Sequence, residues 1–201
     1  MSRKNVALVL FSLVLSCATG SAQNQTATNP SRKPLPKGVK AVYDKTTDQT
    51  TVVSSVLRVR EVPGKLEARS PEGTLRLPAE QLEVLAHFNF PGKNFARPTS
   101  IVLSFLSIAQ DEFKYSSDDE VTVTADAVRF DFGNVRIADR RVDTNMGSPY
   151  YRETLEVSIR IDNFLSITNA AEVKVRLGKV EFDLSTGQIK SLRALGSVAG
   201  S

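Results

Sequence analysis

Glu172-Val173-Lys174-Val175-Arg176-Leu177-Gly178-Lys179-Val180-Glu181-Phe182-Asp183-Leu184 alternates apolar and charged residues with a period of two. Val173, Val175 and Leu177 share one face; Lys174 and Arg176 share the other. That is the signature of an antiparallel strand with one wet and one buried side. The buried set is odd-numbered up to Leu177 and even-numbered from Val180, so Gly178 predicts a tight turn or bulge.

Working outward, the same period recurs. Leu155, Val157, Ile159 and Ile161 alternate with Glu156, Ser158 and Arg160, and Val128, Phe130 and Phe132 alternate with Arg129 and Asp131. Residues 99–110 (TSIVLSFLSIAQ) are apolar on both parities, which predicts a central strand covered on both sides. Earlier strands are expected at 40–44, 51–60 and 83–90. Ser70-Pro71-Glu72-Gly73 carries a type I turn signature and predicts a small hairpin, 65–68 with 74–77. Many short strands without alternating long helices predict a mainly β fold: an antiparallel β-sandwich or partly open barrel.

Two short helices are expected to close it. Asp162 is placed to cap a two-turn helix carrying Phe164, Leu165, Ile167 and Ala171. Ser185 and Gln188 have capping-box spacing ahead of an apolar stripe, Ile189, Leu192 and Leu195, with Gly196 as its end. The stripe is expected to cover the domain's own sheet. One domain, residues 39–196, and a tail, 197–201, account for this part of the chain.

The N-terminal region differs in kind. Arg3 and Lys4 precede the apolar run VALVLFSLVL (6–15) and the small residues 16–22, the three-part pattern of an export signal. Ten such residues make about 15 Å of helix, roughly half a bilayer's hydrocarbon core. Two outcomes stay open: cleavage before Gln23, giving a soluble secreted or periplasmic protein, or lipidation of Cys17 in the lipobox-like Leu13-Val14-Leu15-Ser16-Cys17. Residues 23–38 hold three prolines and little to bury, and are expected to act as a flexible tether.

Charge follows the same division. The chain has 201 residues, 26 basic and 22 acidic; six of the basic ones (3, 4, 32, 33, 37 and 40) precede the first acid, Asp44. The remaining 20 face 22 acids, so the body has no excess of positive charge and nucleic acid is not an expected partner. A single cysteine excludes disulfides within the chain and cysteine-ligated metal centres, and the single His87 excludes two-histidine metal motifs.

Few residues suggest chemistry. His87 points with Leu85 and Asn89 away from the apolar side of its strand, with no recognisable nucleophile or acid at motif spacing. Asp118-Asp119-Glu120 lacks EF-hand spacing and reads as a solvated turn. Residues 139–153 (DRRVDTNMGSPYYRE) gather Arg140, Arg141, Tyr150, Tyr151 and Arg152 in what reads as one long, turn-rich connection. Arginine and tyrosine dominate binding hot spots, which makes this stretch the candidate partner surface. No cofactor is expected, and membrane attachment only through a lipid on Cys17.

Tyr43-Asp44 with Thr50-Thr51-Val52, and residues 172–178 running into Glu181-Phe182-Asp183-Leu184-Ser185, carry a resemblance. The chain resembles exported bacterial proteins of unknown function that share an opening "YD…TTV" strand pair and a closing "VEVRLG…FELS…L..L" unit. The resemblance implies a bacterial source and a cell-envelope location; it transfers no catalytic residue. The expectation is an exported, non-enzymatic domain binding a protein or small molecule. The alternatives are a hydrolase whose carboxylates converge only in the fold, and a carrier of lipid or another apolar ligand.

Overall fold

The computed structural model describes residues 34–64, 67–70, 73–76, 78–144 and 149–200. The expected leader, Cys17 and most of the expected tether lie outside the described residues.

Among the described residues two antiparallel sheets face each other, with no closed barrel. The larger holds β1 (Lys40–Asp44), β2 (Gln49–Val53), β3 (Leu57–Val62), β6 (Glu80–Pro91), β7 (Ser100–Ala109), β10 (Arg136–Asp143) and β11 (Tyr150–Arg160). Its order is β1-β2-β6-β7-β11-β10, with β3 beside β2 on the same edge of β6. The smaller runs β13 (Val180–Leu184), β12 (Val173–Leu177), β8 (Glu120–Ala125), β9 (Val128–Asn134). A separate hairpin pairs β4 (Glu67–Ser70) with β5 (Gly73–Arg76), two residues out from the expected bounds at its start and one at its end.

The alternation sets which side is buried. Leu57, Val84, Phe105, Leu155 and Ile137 stand opposite one another across five strands of the large sheet. Phe182, Val175, Val123 and Phe130 do so across the small one. These rows face each other, and Phe164, Ile167, Ile189, Leu192 and Leu195 of the helices complete one core. Burial of this apolar surface is the main force holding the two layers together. A gap of about 20 Å³ remains where Val84, Phe105, Val123 and Phe164 meet, the space of about one water.

The closing unit folds as its alternation predicts. Gly178 has φ +54° in a two-residue turn joining Leu177 to Val180. A β-carbon there would press on the Asp119 carboxylate as well as strain the backbone. Ser185 caps α2 (Thr186–Ala199) in a complete capping box with Gln188, whose amide also donates to Arg58 O at 2.8 Å.

Several expectations change. Residues 51–60 form two strands, because Ser54 Oγ accepts from Ala86 N at 3.0 Å and takes a ladder position from the backbone. The strand expected at 83–90 extends from Glu80 to Pro91. β7 is central, yet only Ile101, Leu103 and Phe105 enter the core; Val102, Leu106 and Ile108 are half-buried on the opposite face. Asp162 is not the cap of α1 (Ile161–Asn169): Arg160 holds that place and makes no capping side-chain bond, while Asp162 sits in the first turn and lies 3.5 Å from Arg160 Nη2.

Gly196 does not end the last helix. α2 runs on to Ala199, so part of the expected tail belongs to the domain. A β-carbon on Gly196 would lie 3.1 Å from Leu165 Cδ2 and 3.4 Å from Thr168 Oγ1, so glycine here admits close helix–helix packing. Arg193 reinforces that contact by donating to Thr168 O (2.7 Å) and Ala170 O (3.4 Å), carbonyls at the end of α1.

Candidate functional site

The stretch 139–153 is mostly strand. β10 ends at Asp143 and β11 begins at Tyr150, so only 144–149 connect them. Alternation along these strands sends the five candidate residues in different directions. Arg140 and Tyr151 share the side of Leu155. Arg141 and Arg152 lie directly opposite each other on the other side. Arg141 is 3.8 Å from Asp139, and Arg152 Nε, buried and without a hydrogen bond among the described residues, is 3.9 Å from Asp143. Tyr150 is buried, its phenol oxygen accepting from Gln110 Nε2 at 3.0 Å. The five do not form one surface.

Arg140 instead belongs to a buried fastening. Two residues along β11 from Leu155, Glu153 occupies the same inner side with its side chain 1% exposed. Its Oε1 accepts from Lys114 N (2.6 Å) and Tyr115 N (3.2 Å); its Oε2 accepts from Arg140 Nε (3.2 Å) and Nη2 (3.1 Å). Arg140 also donates to Tyr115 O and lies 4.8 Å over the Phe113 ring, which meets Tyr151 edge-on at 5.2 Å. Residues 110–116 are thereby strapped across the end of the sandwich. Burial pushes the Tyr115 phenol up to about 12; Arg60 opposes, and Glu153, Glu80 and Asp119 add to it.

Carboxylates do converge around Tyr115, as the hydrolase alternative requires. Each is already engaged. Glu80 is 3.3 Å from Lys114 Nζ and 3.5 Å from Arg60 Nη2; Asp119 Oδ2 accepts from Ser116 N at 2.8 Å; Glu153 receives four donors. A general base needs a free lone pair within reach of substrate, and a general acid needs a proton to give. Asp119 is the cap of a turn, and among the described residues no group of three or more His, Cys, Asp or Glu is placed to hold a metal ion.

The broad outer face of the large sheet brings together residues that the sequence kept apart. Leu85, Ser104, Glu156 and Arg136 form one cross-strand row, with His87 in the next. Ser104 Oγ lies 3.4 Å from His87 Nδ1 and donates to Glu156 Oε1 at 3.4 Å; Glu156 is ion-paired with Arg136. These are the residue types of a nucleophile, a base and an acid, in the wrong order. A working triad places imidazole between hydroxyl and carboxylate; here serine stands between the other two. β7 is paired on both sides, so its amides are committed to ladders rather than free to hold an oxyanion.

Burial lowers the His87 pKa from 6.5, with Glu156 opposing more weakly. A depressed folded value gives stability that is full above pH 6.5 and lost as pH falls through the folded value. His87→Gln is therefore expected to narrow the difference in melting temperature between pH 7.5 and acid. A wild-type–variant difference that stays constant with pH would contradict this.

On the same face, Glu83 is 10% exposed, accepts from Gln81 Nε2 at 2.7 Å and lies 3.5 Å from Arg58 Nε. Burial raises its carboxyl pKa against the pull of Arg58. Leu85, Val102, Leu106 and Ile108 lie between these polar groups, outside the core cluster. Only their strand parity was legible beforehand; the juxtaposition depends on register. Comparison with family models, curated proteins and solved structures returned no match. Among the described residues no helix is long and apolar enough to cross a membrane.

Proposed function

We propose that the protein is an exported, non-enzymatic binding module of the bacterial cell envelope that presents the broad face of its large sheet to a protein partner. The observation that carries the reading is the half-buried set Leu85, Val102, Leu106 and Ile108, left outside the core among buried and half-buried polar groups. Apolar residues contiguous with fixed polar groups and rimmed by charge are characteristic of interaction surfaces. The leader pattern and proline-rich segment supply the export and the reach. The carrier alternative needs some hundreds of Å³ inside, against the gap of about 20 Å³ between the sheets.

Two measurements test it. Intact-mass analysis of protein recovered from a bacterial host should give either an N-terminus at Gln23 or a diacylglyceryl Cys17; intact precursor in the cytosol would refute export. The form beginning at Gln23, which has no lipid, should sediment with washed envelope fractions. Leu106→Lys should abolish that association without lowering the melting temperature by more than a few degrees. Undiminished association, or hydrolysis of ester or glycan substrates lost in Ser104→Ala, would overturn the reading.

A further inference from the structure

The outer face of the small sheet carries a polar groove of about 100 Å³. Register lays it out as two rows across four strands. One row is Glu181, Arg176, Thr122 and Asp131; the other is Asp183, Lys174, Thr124 and Arg129. The acids are unevenly shared. Lys174 Nζ takes Glu181 at 3.1 Å and Asp183 at 3.9 Å, and Arg129 takes Asp131 at 2.7 Å. Glu181 stands directly across from Arg176, yet its ion pair is the diagonal one to Lys174.

Arg176 is left at the centre of the groove with no hydrogen bond or ion pair among the described residues, although it is half-buried. The hydroxyls of Thr122 and Thr124 beside it are likewise unengaged, and Thr122 is only 7% exposed. A half-buried guanidinium has given up part of its hydration, and a planar two-oxygen acceptor matches its fork of donors best. The threonine hydroxyls can donate to the same group. The rim acids Glu181, Asp183 and Asp131 repel a second negative charge.

We propose that this groove binds a single carboxylate group, held by the Arg176 guanidinium with Thr122 and Thr124. Its ligands are singly charged acids such as uronate sugars or free peptide carboxyl ends, and multiply charged phosphates are disfavoured. The site lies on the other sheet from the face assigned to a protein partner and stands independently of it.

Amide chemical-shift titration of the full mature chain with glucuronate, acetyl-alanine and inorganic phosphate tests the proposal. Both carboxylates should give saturable shifts centred on 122–124 and 174–176, with phosphate at least fivefold weaker. Arg176→Gln, a change on a solvent-facing strand position, should abolish saturation, and Glu181→Gln should tighten binding severalfold by removing the nearest acid. Glucuronate alone saturating indicates sugar recognition; both saturating indicates the carboxylate alone is read. Shifts that are linear in ligand, unchanged in Arg176→Gln, or strongest with phosphate would overturn it. The spectrum of each variant reports its folding directly.

Discussion

Glu153→Ala is expected to cost about 3–5 kcal/mol in urea unfolding, the range for breaking a buried ion pair by removing one partner. The substitution strips acceptors from the Lys114 and Tyr115 amides and from two donors of Arg140. Two amides in a half-buried strap would be left without protein partners, each worth up to about 1–3 kcal/mol when unsatisfied. Arg140, about one-third exposed, recovers some hydration, which places the outcome near the low end. Glu153→Gln keeps one carbonyl oxygen as acceptor and should lose less. The damage should be local first: amide exchange in residues 111–119 should accelerate before that of β7 and β11. A cost below about 1 kcal/mol would show that water can replace the carboxylate.

Phe105→Ala should be as severe. Phe105 is fully buried between Val84 and Leu155 in the middle of the large sheet, where the small sheet and both helices converge. Truncating a buried phenylalanine typically costs about 3–5 kcal/mol, from lost transfer energy plus the void left behind. The neighbouring gap of about 20 Å³ would merge with that void. Phe105→Leu refills most of it and should cost clearly less. The check is a denaturant midpoint for each variant at unchanged slope, since a changed slope would signal a different unfolded state. A small loss in the alanine variant would mean that the layers collapse readily onto the space.

Some of the fold was legible because the information is local. Period-two alternation in β11, β12 and β13 placed the buried faces, and Ser185 with Gln188 announced a helix start satisfied within four residues. Other features were opaque because the deciding partner is distant. Ser54 breaks a strand through Ala86, 32 residues on. Gly196 reads as a helix stop by itself and becomes a contact point only once α1 lies against it. The stretch 139–153 looks like a loop by composition, yet Asp139–Asp143 and Tyr150–Glu153 are strands held by pairing with each other and with β7.

The candidate sites divide in the same way. Strand parity put His87 on the outer side and Lys174 and Arg176 on the wet side of β12. Which residues then meet is a matter of register between strands far apart in the chain, as for Ser104 with His87 and Glu156 or Arg176 with Thr122, or of how a connecting segment folds over them, as for Glu153 with Lys114 and Tyr115.

By itself the amino-acid order determined that this is a mainly β body with helices near its end, since side-chain period and capping are properties of neighbouring residues. Only the tertiary structure decided which charges are satisfied and which are left open. A charge's partner is selected by through-space distance and by the loss of water around it, and neither quantity exists until the sheets have packed.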